Sequence, residues 1–163
     1  MAKQKAAESR AIKEALEARE PELEQRVLDL ARVARVTAGG KRMRFRALVL
    51  VGDKAGRVGF GVQKAASVAT AVNKAVRQAK KHLMTVPMLN ETIPYRVDFK
   101  FGAAKIMLKP APRGTGVKAG GAARAVLELA GVANVVGKVM GTKNKINNVK
   151  ATLEALKRLR ITN

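Results

Sequence analysis

The sequence predicts an α/β protein of the α+β kind, built as two small domains. Three observations carry this. Hydrophobic periodicity switches from two to helical spacing three times along the chain. Glycine-containing turns separate the strand-like runs. A connector holding Pro87 divides two such sets of elements, so the expected units are an extension over 1–21, an N-terminal domain over 22–86 and a C-terminal domain over 87–163.

Residues 1–20 mix Ala, Glu, Lys and Arg, with Ile12 and Leu16 as their large apolar residues. Too little apolar surface is available there to offset chain entropy, so a mobile or marginally helical extension is expected. Pro21 closes it. Glu22 to Arg35 reads as a lead-in that turns strand-like near Val33. From Val33 the period is two, through Phe45, Ala47, Val49 and Val51, with Leu48 and Leu50 on the opposite face. Ala38-Gly39-Gly40 and Gly52-Asp53-Lys54-Ala55-Gly56 are the turns of a three-stranded antiparallel meander. Its third strand, Arg57 to Val62, carries Gly59 and Gly61 on one face. A face without side chains implies close backbone approach, either of RNA or of the following helix.

Ala65 to Leu83 has helical spacing, with Val68, Val72, Ala75, Val76 and Ala79 as the inward stripe. Lys74, Arg77, Lys80 and Lys81 lie on the outward face towards the C-terminal end, where cations also suit the helix dipole. Met84 to Glu91 is a connector. Arg96 to Phe101 and Lys105 to Leu108 are strands joined at Gly102-Ala103-Ala104. Pro110, Pro112, Gly114 and Gly116 mark a loop. A helix over Ala122 to Ala130 stops at Gly131, a strand covers Val132 to Val139, and Asn144 to Arg160 closes the chain as a helix with Ile146, Val149, Leu153, Leu156 and Leu159 inward. The second half therefore reads β-β-α-β-α.

Charge limits the partner. The 163 residues carry a formal net charge of +21 and only 3% aromatics. From Leu30 onward, 27 Lys and Arg face five Asp and Glu. Self-repulsion on that scale favours a polyanionic partner, nucleic acid first. The chain has no cysteine, which excludes disulfides and thiolate metal sites. No stretch approaches the roughly 20 apolar residues of a membrane span, and the opening residues lack the apolar run of a secretory signal, so a soluble intracellular protein is expected.

Three stretches resemble one family: ALVLVGDKAGRVGFG (Ala47 to Gly61), PRGTGVKAGGAARAVLELAGV (Pro112 to Val132) and GTKNKINNVKATLEAL (Gly141 to Leu156). In this order they are similar to the fifth protein of the small ribosomal subunit, bacterial type, over roughly Glu22 to Leu159. The resemblance implies an N-terminal unit like a double-stranded-RNA-binding domain and a C-terminal open sheet backed by two helices. It implies binding to small-subunit ribosomal RNA, contact with the fourth and eighth proteins of that subunit, a place near the messenger RNA entry path, and influence on assembly and decoding accuracy. In the family the tip of the first hairpin, here Thr37 to Arg42, is associated with spectinomycin sensitivity. The family's interface with protein four matches the stretch around Gly114 to Arg124. This chain has Ala38 where the family has a lysine, and Lys118 where it has an aliphatic residue.

The residues expected to touch RNA follow from both lines of reasoning. On the first hairpin and its sheet they are Thr37, Gly39, Gly40, Lys41, Arg42, Arg44, Arg46, Arg57 and Lys64. Gly39 and Gly40 allow a sharp reversal that brings backbone N–H groups near a ligand, and the arginines pair with phosphates in bidentate fashion. Lys80 and Lys81 end the first helix. Lys143, Asn144, Lys145, Asn147 and Lys150 begin the last one, where Asn and Lys suit phosphate and sugar contacts. Gly114, Thr115, Gly116 and Arg124 form the expected protein interface, against the simpler reading of Arg124 as paired with Glu128 four residues on. The glycine-rich loop lacks the GxxxxGK[ST] pattern of a nucleotide P-loop. His82 stands alone, the acids after Leu30 are scattered, and Asp53 reads as a turn former, so no catalytic set, metal site or cofactor is expected. A phosphotransferase would need a metal-binding acid and a base near that loop. A membrane-surface binder would need a basic amphipathic helix with a large apolar face.

Overall fold

The computed structural model describes residues 23–160. The extension expected over 1–21 lies outside them. The first antiparallel sheet has the order β1-β2-β3-β4, from β1 (Glu24–Thr37), β2 (Gly40–Gly52), β3 (Arg57–Ala65) and β4 (Met84–Thr85), with α1 (Val68–Lys81) between β3 and β4. The second sheet has the order β5-β6-β8-β7, from β5 (Val97–Phe101), β6 (Ala104–Pro110), β7 (Val117–Lys118) and β8 (Val135–Met140). Two helices complete the second half, α2 (Gly121–Ala130) before β8 and α3 (Lys145–Lys157) after it.

Several boundaries differ from the sequence reading. β1 begins at Glu24 rather than near Val33, because its register with β2 shifts between Val27 and Asp29. This bulge throws the strand's first half out of simple alternation and disguises it as a lead-in. Ala65 ends β3 and Ser67 caps α1, its Oγ accepting from the Thr70 N–H at 3.3 Å. The inward stripe of α1 is Ala71, Ala75 and Ala79, flanked by Val72 and Val76, while Val68 is exposed. The connector after α1 contains β4, and the loop after β6 contains β7, which runs parallel to β8 and makes the second sheet mixed. β8 starts at Val135, because Val132 closes the end of α2: its N–H reaches the Leu127 carbonyl at 3.0 Å, while Gly131 sits left-handed at φ 82°. That is a Schellman closure. α3 ends at Lys157, three residues short of Arg160.

The second half of β2, from Ala47 to Val51, is buried on both faces, which is why that stretch reads as an unbroken apolar run. Ala47, Val49 and Val51 meet the alanine face of α1. Gly59 and Gly61 let that helix come close. A Cβ on Gly59 would lie 2.5 Å from the Ala79 carbonyl oxygen, and one on Gly61 would run into the Ala75 carbonyl. The bare face of β3 therefore receives the helix. Leu48, Leu50 and Val58 point the other way, into a core shared with Ile106, Leu108, Leu127, Leu129 and Leu156 of the second half.

The β2–β3 turn also closes α2. The Lys54 and Gly56 N–H groups donate to the Leu129 and Ala130 carbonyls, each at 3.0 Å, satisfying two of the acceptors a helix end leaves open. Asp53 builds this turn. Its Oδ1 accepts from the N–H groups of Ala55 and Arg57 at 2.8 and 2.9 Å, and its Oδ2 from Arg57 Nε at 2.7 Å. Burial pushes the Asp53 carboxyl up, but the hydrogen bonds from Arg57 and Ala55 outweigh it and hold its pKa below the ordinary value.

Candidate nucleic-acid interface

β3 stops pairing with β2 at the Phe45–Ala65 pair. Beyond it, β1 and β2 continue alone as a two-stranded ribbon that ends at the pair Thr37–Gly40. The turn is thus the two residues Ala38 and Gly39, clasped by Thr37 Oγ1 donating to the Gly40 carbonyl at 3.0 Å. A Cβ on Gly39 or on Gly40 would meet nothing within 4 Å, so the tip has open space beside both glycines.

The register decides which side chains share a face. Arg35 stands opposite Arg42, Val33 opposite Arg44, and Ala31 opposite Arg46, which in turn pairs with Lys64 of β3. Alternation puts all five cations on one face. Arg35, Arg42, Arg44 and Lys64 line a cleft of about 230 Å³ with Val33 and Ala34. Like charges directly opposite destabilise a strand pair, so the Arg35–Arg42 pairing carries a cost that an anion between them removes. The other face of the ribbon holds Arg32, Lys41 and the exposed Met43 and Val36. Arg35 escaped the sequence-based site list. A two-residue turn at Ala38-Gly39, rather than the three-residue turn Ala38-Gly39-Gly40, would have given the pairing and found it.

The start of α3 adjoins the base of this face. Lys145 Nζ donates to the Leu28 carbonyl at 3.2 Å and to Asp29 Oδ1 at 2.9 Å, and the same carboxylate faces Arg46 at 3.7 Å. Asn144 caps α3, its Oδ1 accepting from the Ile146 N–H at 3.1 Å. Lys143, Lys145 and Asn148 share a groove of about 480 Å³ with Gly120 and Gly121 at the start of α2, so the glycine loop and the last helix's basic start meet in space. Asn147 is half-buried beside Gly102, and Lys150 lies over the Phe101 ring at 5.5 Å.

Other expected residues stand elsewhere. Arg57 is held by Asp53 within the β2–β3 turn. Lys80 and Lys81 end α1, beside Gly59 and away from the ribbon, since α1 runs back along β3. Gly114 and Gly116 adopt left-handed φ of 87° and 71° in the loop before β7, where Gly116 N–H donates to the buried Asn134 Oδ1 at 3.1 Å and Thr115 N–H to the Pro112 carbonyl at 3.2 Å. Arg124 Nε pairs with Glu128 at 3.0 Å, and Glu128 also takes Arg26 of β1 at 2.7 Å. Phe45, Phe60, Phe99 and Phe101 all pack against the cores. Among the described residues no cluster of three or more His, Cys, Asp or Glu exists that could hold a metal, and no helix is long and apolar enough to cross a membrane.

Two family models match the chain in sequence. The N-terminal domain of ribosomal protein S5 matches residues 23–87, and the C-terminal domain of ribosomal protein S5 matches residues 99–162. The first covers the ribbon, its sheet and α1; the second covers the mixed sheet, the glycine loop and the start of α3 that closes on β1. With both domains matched in order over most of its length, the chain belongs to the ribosomal protein S5 family, whose members are non-enzymatic structural constituents of the small ribosomal subunit.

Proposed function

We propose that this chain binds small-subunit ribosomal RNA through the cationic face of the β1–β2 ribbon and the adjoining start of α3. The carrying observation is the Arg35–Arg42 pair, two guanidinium groups in direct register on an exposed ribbon. Phosphate is the ligand that fits: it accepts bidentate hydrogen bonds from each arginine and removes their mutual repulsion. The open tip at Gly39 lets the ribbon enter a junction between RNA helices without side-chain bulk.

In this reading the chain supports small-subunit assembly and translational accuracy, near the messenger entry path, on cytoplasmic ribosomes. The loop Gly114, Thr115 and Gly116 with Arg124 is the face turned to a neighbouring ribosomal protein, with the fourth and eighth proteins as the candidates. A left-handed loop tied down by Asn134 gives a rigid surface for such a contact.

Arg35→Glu with Arg42→Glu tests the reading. Affinity for small-subunit rRNA should fall, and the plot of log K against log salt should become shallower by about 2, near 0.9 per lost phosphate contact. Unchanged affinity and slope would sink it.

A further inference from the structure

The second sheet has one face buried against α2 and α3 and one left uncovered by the described residues. Val97, Phe99, Phe101, Ala104, Ile106, Leu108, Val135 and Val139 point inward and join the core. The alternate residues point outward. Lys100 of β5 is directly opposite Lys105 of β6, which is opposite Met140 of β8. The next row holds Asp98, Met107 and Lys138, and a third holds Lys109, Val136 and Lys118. All five lysines are exposed, and none has an ion-pair partner among the described residues. Asp98, the one acid of the face, is taken by Arg96 Nε at 2.7 Å. Met107, Val136 and Met140 belong to neither core cluster and form an apolar floor between the lysines.

We propose that this outer face of the mixed sheet docks the sugar-phosphate backbone of an RNA, as a second contact surface separate from the ribbon. The proposal rests on the rRNA-binding reading and extends it to a face that no motif in the sequence points to. The charge argument is the same in kind as for the ribbon but stands on different residues. Lys100 and Lys105 in direct register repel, and a row of phosphates is what converts that cost into attraction.

The composition decides between RNA and an acidic protein. Interface cores between proteins are enriched in aromatics and Arg and depleted in Lys. This face has no aromatic and no unpaired arginine. The aromatic residues of the sheet, Phe99 and Phe101, point inward, so bases have nothing to stack on. The patch spans roughly 13 Å along β6 from Lys105 to Lys109 and roughly 14 Å across four strands. A flat array of flexible point charges over an apolar floor fits phosphates and ribose edges, and it reads charge and shape without reading sequence.

The test uses the full-length chain with Lys100, Lys105, Lys109 and Lys138 all changed to Ala, and a second variant with all four changed to Arg. Binding to small-subunit rRNA is measured over a salt series. The Ala variant should show a slope shallower by about 3, and the Arg variant should keep the original slope. An unchanged slope in the Ala variant overturns the proposal, and so does an Ala variant that keeps its rRNA slope but loses retention on protein-complete subunits, since the occupant would then be a protein. If circular dichroism shows the Ala variant unfolded, acetylation footprinting of the unaltered chain decides: rRNA should protect Lys105 and Lys138 several-fold, and equal labelling with and without rRNA overturns the proposal. Failure of the broader reading looks different. There the unaltered chain itself binds rRNA without salt dependence, and the double ribbon variant Arg35→Glu, Arg42→Glu has no effect either.

Discussion

Arg35 of β1 faces Arg42 of β2 in antiparallel register, two pairs back from the Thr37–Gly40 pair that closes the ribbon. Neither residue has an acidic partner among the described residues. Stability and binding therefore pull in opposite directions at this pair, which makes it separable by experiment.

Arg42→Glu turns a like-charge pair into an opposite-charge pair. The free protein should gain about 0.2–1 kcal/mol in a urea or thermal melt, while affinity for small-subunit rRNA falls. A variant that loses both stability and affinity would mean that Arg42 holds the ribbon together instead.

The glycines of the chain are not equivalent. Gly61→Ala drives a methyl group into the Ala75 carbonyl and should cost about 1–3 kcal/mol or more, because both partners are backbone. Gly39→Ala meets empty space and should change stability by less than about 0.5 kcal/mol. Equilibrium unfolding of the two variants side by side checks the contrast.

Gly131→Ala puts a side chain on a left-handed residue and against the Lys54 carbonyl. The expected loss is about 1–3 kcal/mol. Because the turn that caps α2 belongs to the first half, amide exchange should accelerate at Lys54 and Gly56 as well as in α2. Acceleration confined to α2 would show that the contact is not shared.

Asp53 ties the β2–β3 turn to acid stability. Its folded pKa is depressed, so its contribution is complete above the ordinary aspartate value near 3.9 and is lost as pH falls through the lower folded value. Asp53→Asn keeps an acceptor for the two N–H groups but loses the charged pairing with Arg57, and should cost about 1 kcal/mol at pH 7 and less at pH 3. Chemical denaturation at the two pH values measures the difference.

Local signals in the sequence were reliable where a short-range interaction sets the structure. A helix beginning near Asn144, Gly131 as a helix stop, Asp53 as a turn former and the apolar strand run of β2 all follow from nearest neighbours. What escaped depends on distant pairing. The first half of β1 hides behind the bulge at Leu28, and its charges find partners far along the chain, Glu24 with Lys54 and Arg26 with Glu128. The place of Arg35 needs the turn length, and the lysine face of the second sheet needs four strands in register. Neither is visible until the strands are paired. The parallel pair β7–β8 is two residues long, too short for any periodicity to announce it.

The shared core has a consequence in time. Leu48, Leu50 and Val58 are synthesised early, but the core they join extends to Leu156, near the end of the described chain. At an ordinary synthesis rate the gap is about 5–20 s, during which half of the first sheet is an apolar surface facing water. Chains stalled just after α1 should bind an apolar dye, and chains released after α3 should not. For a protein destined to join RNA, that interval is when a chaperone has the most to hold.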